Sequence, residues 1–166
     1  RILWGKYNEW QGENVDVLFS KIYSCKIIEG CIEVEGSLAG ISRQPFFRYS
    51  LTVQIKENGT IHWQLDGEVR ENCVWLPRLG FEFKTDYAND RFEYYGMGPL
   101  ESYCDMSRHA KMGWYESDAK NEYVPYVVPQ EHGNHTNSKI LQIKSGMKFI
   151  ADETFDFNVS RYSSKQ

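Results

Sequence analysis

From Tyr49 to Val69 the chain changes chemical character at every second residue, and this period of two constrains the fold more than any other feature. Tyr49, Leu51, Val53 and Ile55 alternate with Ser50, Thr52, Gln54 and Lys56. After Glu57-Asn58-Gly59 the alternation resumes, with Ile61, Trp63, Leu65 and Val69 on one side and His62, Gln64, Asp66 and Glu68 on the other. A strand turns successive side chains to opposite faces, so each run predicts a strand with one apolar face. Two such runs around Asn-Gly predict a hairpin, with both strands half buried.

Further segments read the same way. Residues 21–28 and 31–39 form a second alternating pair about Glu29-Gly30, and strands are expected at 79–85, 91–96, 123–128, 139–143 and 153–159. Glycine and proline punctuate them, at Gly80, Gly96, Gly98-Pro99, Pro125, Pro129, Gly133 and Gly146. Helical pattern is poor: Glu101–Lys111 has room for a short turn or two between Pro99 and Gly113. The expected class is all-β, an antiparallel β-sandwich. With no repeat, no low-complexity tract and no Pro/Ser-rich linker, residues 1–166 read as a single domain.

Composition narrows the function classes. The 19 basic residues are scattered and the net charge is −4, which argues against a nucleic-acid partner. No stretch reaches the roughly 18 apolar residues of a membrane span. The opening Arg1-Ile2-Leu3-Trp4 has neither an initiator Met nor a signal-peptide pattern, so the chain reads as an excerpt from something longer. Cys25, Cys31, Cys73 and Cys104 show no CxxC spacing and fit free thiols in a reducing compartment, although Cys25 and Cys31 could meet across a hairpin. The aromatic share of 15% suits pleated surfaces first and sugar contact second.

Several residues have catalytic or binding chemistry to weigh against a structural role. Glycoside hydrolysis needs two carboxyl groups, about 5–5.5 Å apart for retention or roughly 6.5–9.5 Å for inversion. Glu101, Asp105 and Glu131 lie in polar loops and could supply such a pair only if one cleft gathered them; the structural reading is that they fasten loops. His132 and His135 have metal-compatible donors in an HxxH run, with His109 as an outlying third, but without the helix or ligand spacing of a zinc site. Cys104 with His109 would be a thiol–imidazole pair, read here as an ordinary cysteine. Tyr103, Trp114, Tyr115, Tyr123 and Tyr126 are candidates for sugar stacking or, as is commoner for strand aromatics, for core packing.

Four segments in order carry more information than their chemistry. They are Leu76-Pro77-Arg78-Leu79-Gly80; Tyr95-Gly96-Met97-Gly98-Pro99-Leu100-Glu101-Ser102-Tyr103-Cys104-Asp105; Tyr126-Val127-Val128-Pro129-Gln130-Glu131-His132-Gly133-Asn134; and Phe157-Asn158-Val159-Ser160-Arg161-Tyr162-Ser163. The series resembles the C-terminal domain of the β-galactosidases of glycoside hydrolase family 2, most specifically over residues 76–163. Residues 1–75 fit by strand pattern alone, and Met106 stands where many relatives place Arg.

The resemblance implies a supersandwich related to galactose mutarotase, set in a larger bacterial, cytoplasmic enzyme that cleaves terminal β-galactosides such as lactose with retention. It further implies that both catalytic glutamates and the magnesium belong to a TIM barrel outside this sequence. The family's sugar-contacting segments of this domain, near its start and its end, also have no counterpart here. No catalytic, metal or cofactor residue is therefore carried over, and no substrate-binding residue is assigned. The expected partners are the remainder of the enzyme, its galactoside substrate through that remainder, and a further copy in a homo-oligomer. Within the motifs, Gly96, Gly98 and Pro99 are expected to form a turn with positive φ available to the glycines. Arg78, Glu101, Tyr103, Asp105, Pro129, Glu131 and Gly133 are expected to scaffold loops. The alternatives are a carbohydrate-binding module, which needs a concave aromatic surface, and a mutarotase-like protein, which needs a histidine and a carboxylate converging in a sugar-sized cleft.

Overall fold

A computed structural model of the chain describes residues 13–15, 17–73, 76, 78–84, 90–128 and 130–161. Among these residues there are eight strands: β1 (Leu18–Ile28), β2 (Cys31–Gly40), β3 (Phe47–Ile55), β4 (Ile61–Val69), β5 (Arg91–Gly98), β6 (Lys111–Asp118), β7 (Asn134–Ile143) and β8 (Lys148–Asn158). They form two four-stranded antiparallel sheets, in the orders β1-β2-β3-β4 and β6-β5-β7-β8. The all-β antiparallel class expected from the alternation is what the chain adopts. Its contacts divide it into two compact units, Arg1–Phe81 and Glu82–Gln166, with one sheet in each.

In the first unit both hairpins follow from their turn residues. Glu29 and Gly30 have φ of 41° and 78°, the two left-handed residues of a two-residue hairpin loop. At Asn58-Gly59 the loop is longer. The Gly59 amide donates to the Lys56 carbonyl at 3.0 Å, and the Asn58 side chain accepts the Thr60 amide at 3.0 Å. Gly59, with φ of 81°, supplies the left-handed residue after the turn. Cys25 pairs with Val34 and Cys31 with Ile28, so the two cysteines sit at different levels of the ladder and form no disulfide with each other.

The first sheet is less buried than its alternation predicts. The apolar residues of β4, Ile61, Trp63, Leu65 and Val69, stay exposed along the whole strand. Among the described residues of this unit, the buried apolar side chains are Phe46, Phe47, Val53 and Ala39. Phe81 stands edge-on against Trp63, with ring centroids 5.6 Å apart.

The second unit holds the better core. Phe92, Tyr94, Leu141, Ile143 and Phe157 form a buried cluster, with Tyr115, Phe149 and Phe155 packed against it. Each fully buried apolar side chain contributes about 1.5–3 kcal/mol, so these five residues supply much of the unit's driving force.

Three expectations need correction. Residues 79–84 form no strand, and residue 85 lies outside the described residues; the alternating Phe81 and Phe83 pack instead on the rings of Trp63 and Phe149. Residues 123–128 form no strand either, since Pro125 removes a ladder donor in mid-run. Conversely, residues 101–111 hold turns rather than a helical turn, and Lys111–Asp118 is a strand. Gly113 read as a terminator, but it pairs with Gly96 inside the ladder.

Candidate functional site

The polar residues of the second unit converge at the exit of β5, and the motif glycines make that convergence sterically feasible. Gly96 and Gly98 lie within β5, and neither has positive φ. Their role differs from the expected one: they provide space. A Cβ on Gly96 would stand 2.1 Å from the Ser138 hydroxyl, and one on Gly98 would stand 2.2 Å from the Tyr94 hydroxyl. Beyond them the Gly98–Pro99 peptide is cis, and Pro99 offers its carbonyl to the Tyr94 hydroxyl at 3.4 Å.

The chain then docks against the start of β7. The Ser102 amide donates to the Asn134 carbonyl at 2.6 Å, and the Asn134 side-chain amide donates back to the Ser102 carbonyl at 2.8 Å. The buried Ser102 hydroxyl lies 3.0 Å from the Thr136 hydroxyl and accepts the Thr136 amide at 3.0 Å. This polar stitch leaves Glu101 facing the loop that precedes β7.

Glu101 gathers that loop. One carboxylate oxygen accepts the Gly133 amide at 2.7 Å and lies 3.4 Å from the Tyr103 hydroxyl; the other accepts the Tyr126 hydroxyl. Its carbonyl accepts from the His109 ring at 2.7 Å. Gly133 is required at its position, with φ of 71° and no room for a Cβ beside the Glu122 carbonyl. The Glu101 hydrogen bond raises the Tyr126 phenol above its ordinary range. Burial raises Tyr103 as well, and the nearby Glu101 charge adds to that.

A second fastening lies deeper. His135 has no exposed surface, and its Nε2 meets the Glu122 carboxylate at 2.9 Å. Its Nδ1 donates to the Met97 carbonyl at 3.1 Å, and the Ser117 hydroxyl donates to the other Glu122 oxygen. Both ring nitrogens therefore face oxygen. Satisfying both contacts takes two protons shared between imidazole and carboxyl, so the pair is neutral overall. The Tyr94 and Phe157 rings enclose the imidazole, with centroids at 4.5 and 5.2 Å. Burial, then the Glu122 charge, push the Tyr94 phenol above its ordinary range. The His132 Nδ1 donates to the Glu122 carbonyl at 3.1 Å.

The sequence candidates are thus distributed unevenly. Glu101, Tyr103 and Gly133 meet in one knot, with Gly98 and Pro99 at its edge. Asp105 is exposed at the tip of the turn closed by Tyr103 and Met106. Glu131 and Arg78 are exposed, and Pro129 lies outside the described residues, as do Pro77, Tyr162 and Ser163 of the outer motifs. Glu122, Ser102 and Asn134 were not singled out by function, because nothing in their local sequence distinguishes a buried carboxylate or stitch from a solvated loop residue.

This geometry fastens loops. Glu101 has both oxygens occupied by donors of its own chain, and Glu122 is sealed with His135, so neither is placed to attack or protonate a sugar. His135 has both ring nitrogens engaged and His132 holds the Glu122 carbonyl through Nδ1, and no group of three metal-compatible side chains occurs among the described residues. The His109 ring nitrogen is engaged by the Glu101 carbonyl rather than by a thiol. The aromatic candidates form no single platform: Trp114 is 60% exposed while its neighbour Tyr115 turns to the core beside Tyr94, and Tyr103 and Tyr126 meet instead at the Glu101 carboxylate. An open depression of about 410 Å³ on the first sheet is lined by Tyr23, Glu35, Arg48, Ser50, Asp66 and Glu68 and contains no histidine.

Comparison with known proteins agrees with the motif order. The sequence model of the β-galactosidase small chain matches residues 4–166. The chain is 30% identical over 162 residues to a β-galactosidase of Actinobacillus pleuropneumoniae, covering 95% of this chain and 16% of that protein. It is 32% identical over 171 residues to a β-galactosidase of Kluyveromyces lactis, with 93% and 16% covered. To a β-galactosidase of Staphylococcus xylosus it is 26% identical over 166 residues, with 96% and 17% covered. The chain therefore spans about one sixth of the length of these relatives.

Proposed function

The chain belongs to the β-galactosidase small-chain family, and on that premise we propose that it is a non-catalytic domain that supports the catalytic part of a β-galactosidase. The coverage carries this reading: 95% of the chain matches a β-galactosidase of which it makes up only 16%. The reaction of the whole enzyme is hydrolysis of terminal β-D-galactosides, lactose among them, with retention. Its two glutamates and its magnesium reside in a barrel outside these 166 residues. What this chain contributes is rigidity. The Glu101 and Glu122 knots hold the loops of residues 99–110 and 119–133 in fixed positions, as a wall requires.

The reading is tested by assaying a chromogenic β-galactoside with the complete enzyme and with the 166-residue chain side by side. The complete enzyme should turn over and the chain alone should not. Turnover by the chain alone would overturn the proposal, as would a complete protein without β-galactosidase activity.

A further inference from the structure

An antiparallel sheet with one face in water alternates apolar and polar residues, whereas a sheet covered on both faces carries adjacent apolar residues. The β6-β5-β7-β8 sheet breaks alternation at one level on all four strands. β5 has Tyr94-Tyr95 there and β6 has Trp114-Tyr115; β7 has Ile140-Leu141 and β8 has Phe149-Ile150. The doublets are in register. Tyr94 pairs with Tyr115 and Leu141, and Leu141 with Phe149, along the core face. Tyr95 pairs with Trp114 and Ile140, and Ile140 with Ile150, along the opposite face.

Among the described residues nothing covers that opposite face. Trp114 is 60% exposed, Ile150 69% and Met112, two residues from Trp114 on the same strand, 44%. Trp114 leans on Tyr95 with centroids 5.4 Å apart, so the row is ordered by its own packing. The next same-face level is polar: Glu93 pairs with Glu116 and Gln142, and Gln142 with Lys148. An aromatic and Met-rich centre bordered by charged residues is the composition of a protein interface. The row has no role in the fold of its own unit, whose core lies on the other face.

We propose that this outer face of the β6-β5-β7-β8 sheet, centred on Trp114, is the surface by which the domain docks onto the remainder of its β-galactosidase. The inference rests on the supporting-domain reading above and adds the contact surface to it. The occupant follows from proportion: the family is a small chain, and about five sixths of each relative compared lies beyond the matched part. The docking element presents apolar side chains to the Trp114 row and polar groups to the Glu93–Glu116 border.

The complete enzyme carries its own control, because Met106, in the turn after β5, is 39% exposed against 44% for Met112. Under hydroxyl-radical footprinting of the complete enzyme, Met112 should oxidise at least ten-fold more slowly than Met106, and Trp114 should be protected with it. Comparable rates for the two methionines would overturn the proposal. Trp114→p-benzoylphenylalanine in the same enzyme, irradiated and mapped by mass spectrometry, identifies the occupant. A crosslink to the enzyme beyond these 166 residues supports the proposal; a crosslink to the same face of a second copy, or none, overturns it. β-Galactosidase activity is read on each preparation. Full activity with an exposed Met112 sinks the docking surface alone, whereas a complete protein without activity sinks the functional reading itself.

Discussion

The Glu101 carboxylate accepts the backbone amide of Gly133, 32 positions away in sequence, at 2.7 Å, and the same group accepts the Tyr126 hydroxyl. One side chain thus closes the loop of residues 119–133 onto the turn that follows β5. Hydrogen bonds to an ionised group contribute about 1.5–3 kcal/mol each, and removing the acceptor strands its donors. Glu101→Ala should therefore cost about 2 kcal/mol in urea denaturation and speed amide exchange at Gly133 markedly. Glu101→Gln keeps one acceptor oxygen and should cost about half as much. In the complete enzyme both variants should lose activity only in step with stability. Loss of turnover in a fully folded Glu101→Gln enzyme would instead mark Glu101 as a catalytic residue.

The phenols of this unit give a pH signature. Burial raises Tyr94 and Tyr103, and the Glu101 hydrogen bond raises Tyr126, all above the unfolded value of 10.0. In the window above pH 10 the unfolded chain releases these protons while the folded chain keeps them, so stability falls as pH rises. Below the unfolded value both states hold the protons and the contribution is complete. Ultraviolet titration near 295 nm should show a late-ionising group of tyrosines that merges with the rest in urea. Glu101→Gln should return Tyr126 toward its ordinary range and leave Tyr94 late, because the second cause acting on Tyr94 is Glu122.

His135 and Glu122 form a buried pair that resists separation. Removing one member of such a pair leaves an uncompensated polar or charged group and costs about 3–5 kcal/mol. His135→Ala and Glu122→Ala should each fall in that range by chemical denaturation. Replacing both with Leu should cost much less than the sum, because no buried charge then remains. Costs that simply add would show that each residue acts through packing alone.

How far the sequence showed this depended on the range of each signal. The β1–β2 and β3–β4 hairpins were legible because alternation and turn residues such as Asn58-Gly59 are local. The β6 strand was not, since Gly113 reads as a breaker until Gly96 is seen opposite it. At 123–128 apolar residues suggested a strand, but Tyr126 turns to Glu101, which is 25 positions away. The Glu101, Tyr103 and Gly133 knot lay within motif residues already singled out. The Glu122–His135 pair did not, because burial of a charged side chain is a property of tertiary packing and leaves no local mark. Both-face apolarity was visible in Tyr94-Tyr95 and Trp114-Tyr115 as letters, yet it became informative only when the ladder put the doublets at one level.

The contact between Gly96 and Ser138 allows a prediction of opposite signs at two neighbouring sites. Ser138 is fully buried, and its hydroxyl has no hydrogen-bond partner among the described residues. A buried, unsatisfied polar group costs about 1–3 kcal/mol, so Ser138→Ala should stabilise the chain by about 1 kcal/mol. For a chain of this size that corresponds to a rise in Tm of about 2–4 °C. Gly96→Ala should do the reverse. Its new Cβ would lie 2.1 Å from the Ser138 hydroxyl and 2.8 Å from the Ser138 Cβ, an overlap that adjacent strands relieve only by moving. Overpacking of this kind costs about 1–3 kcal/mol. Ser138→Ala removes the first overlap but keeps the second, so it should rescue Gly96→Ala only in part. Ser138→Gly removes both and leaves the Ser138 Cα at 3.0 Å, so it should rescue more fully. Thermal denaturation of the five variants, singly and combined, measures this order. A Gly96→Ala chain as stable as the original would show that β5 and β7 can separate there, and that the glycine is not required for their close approach.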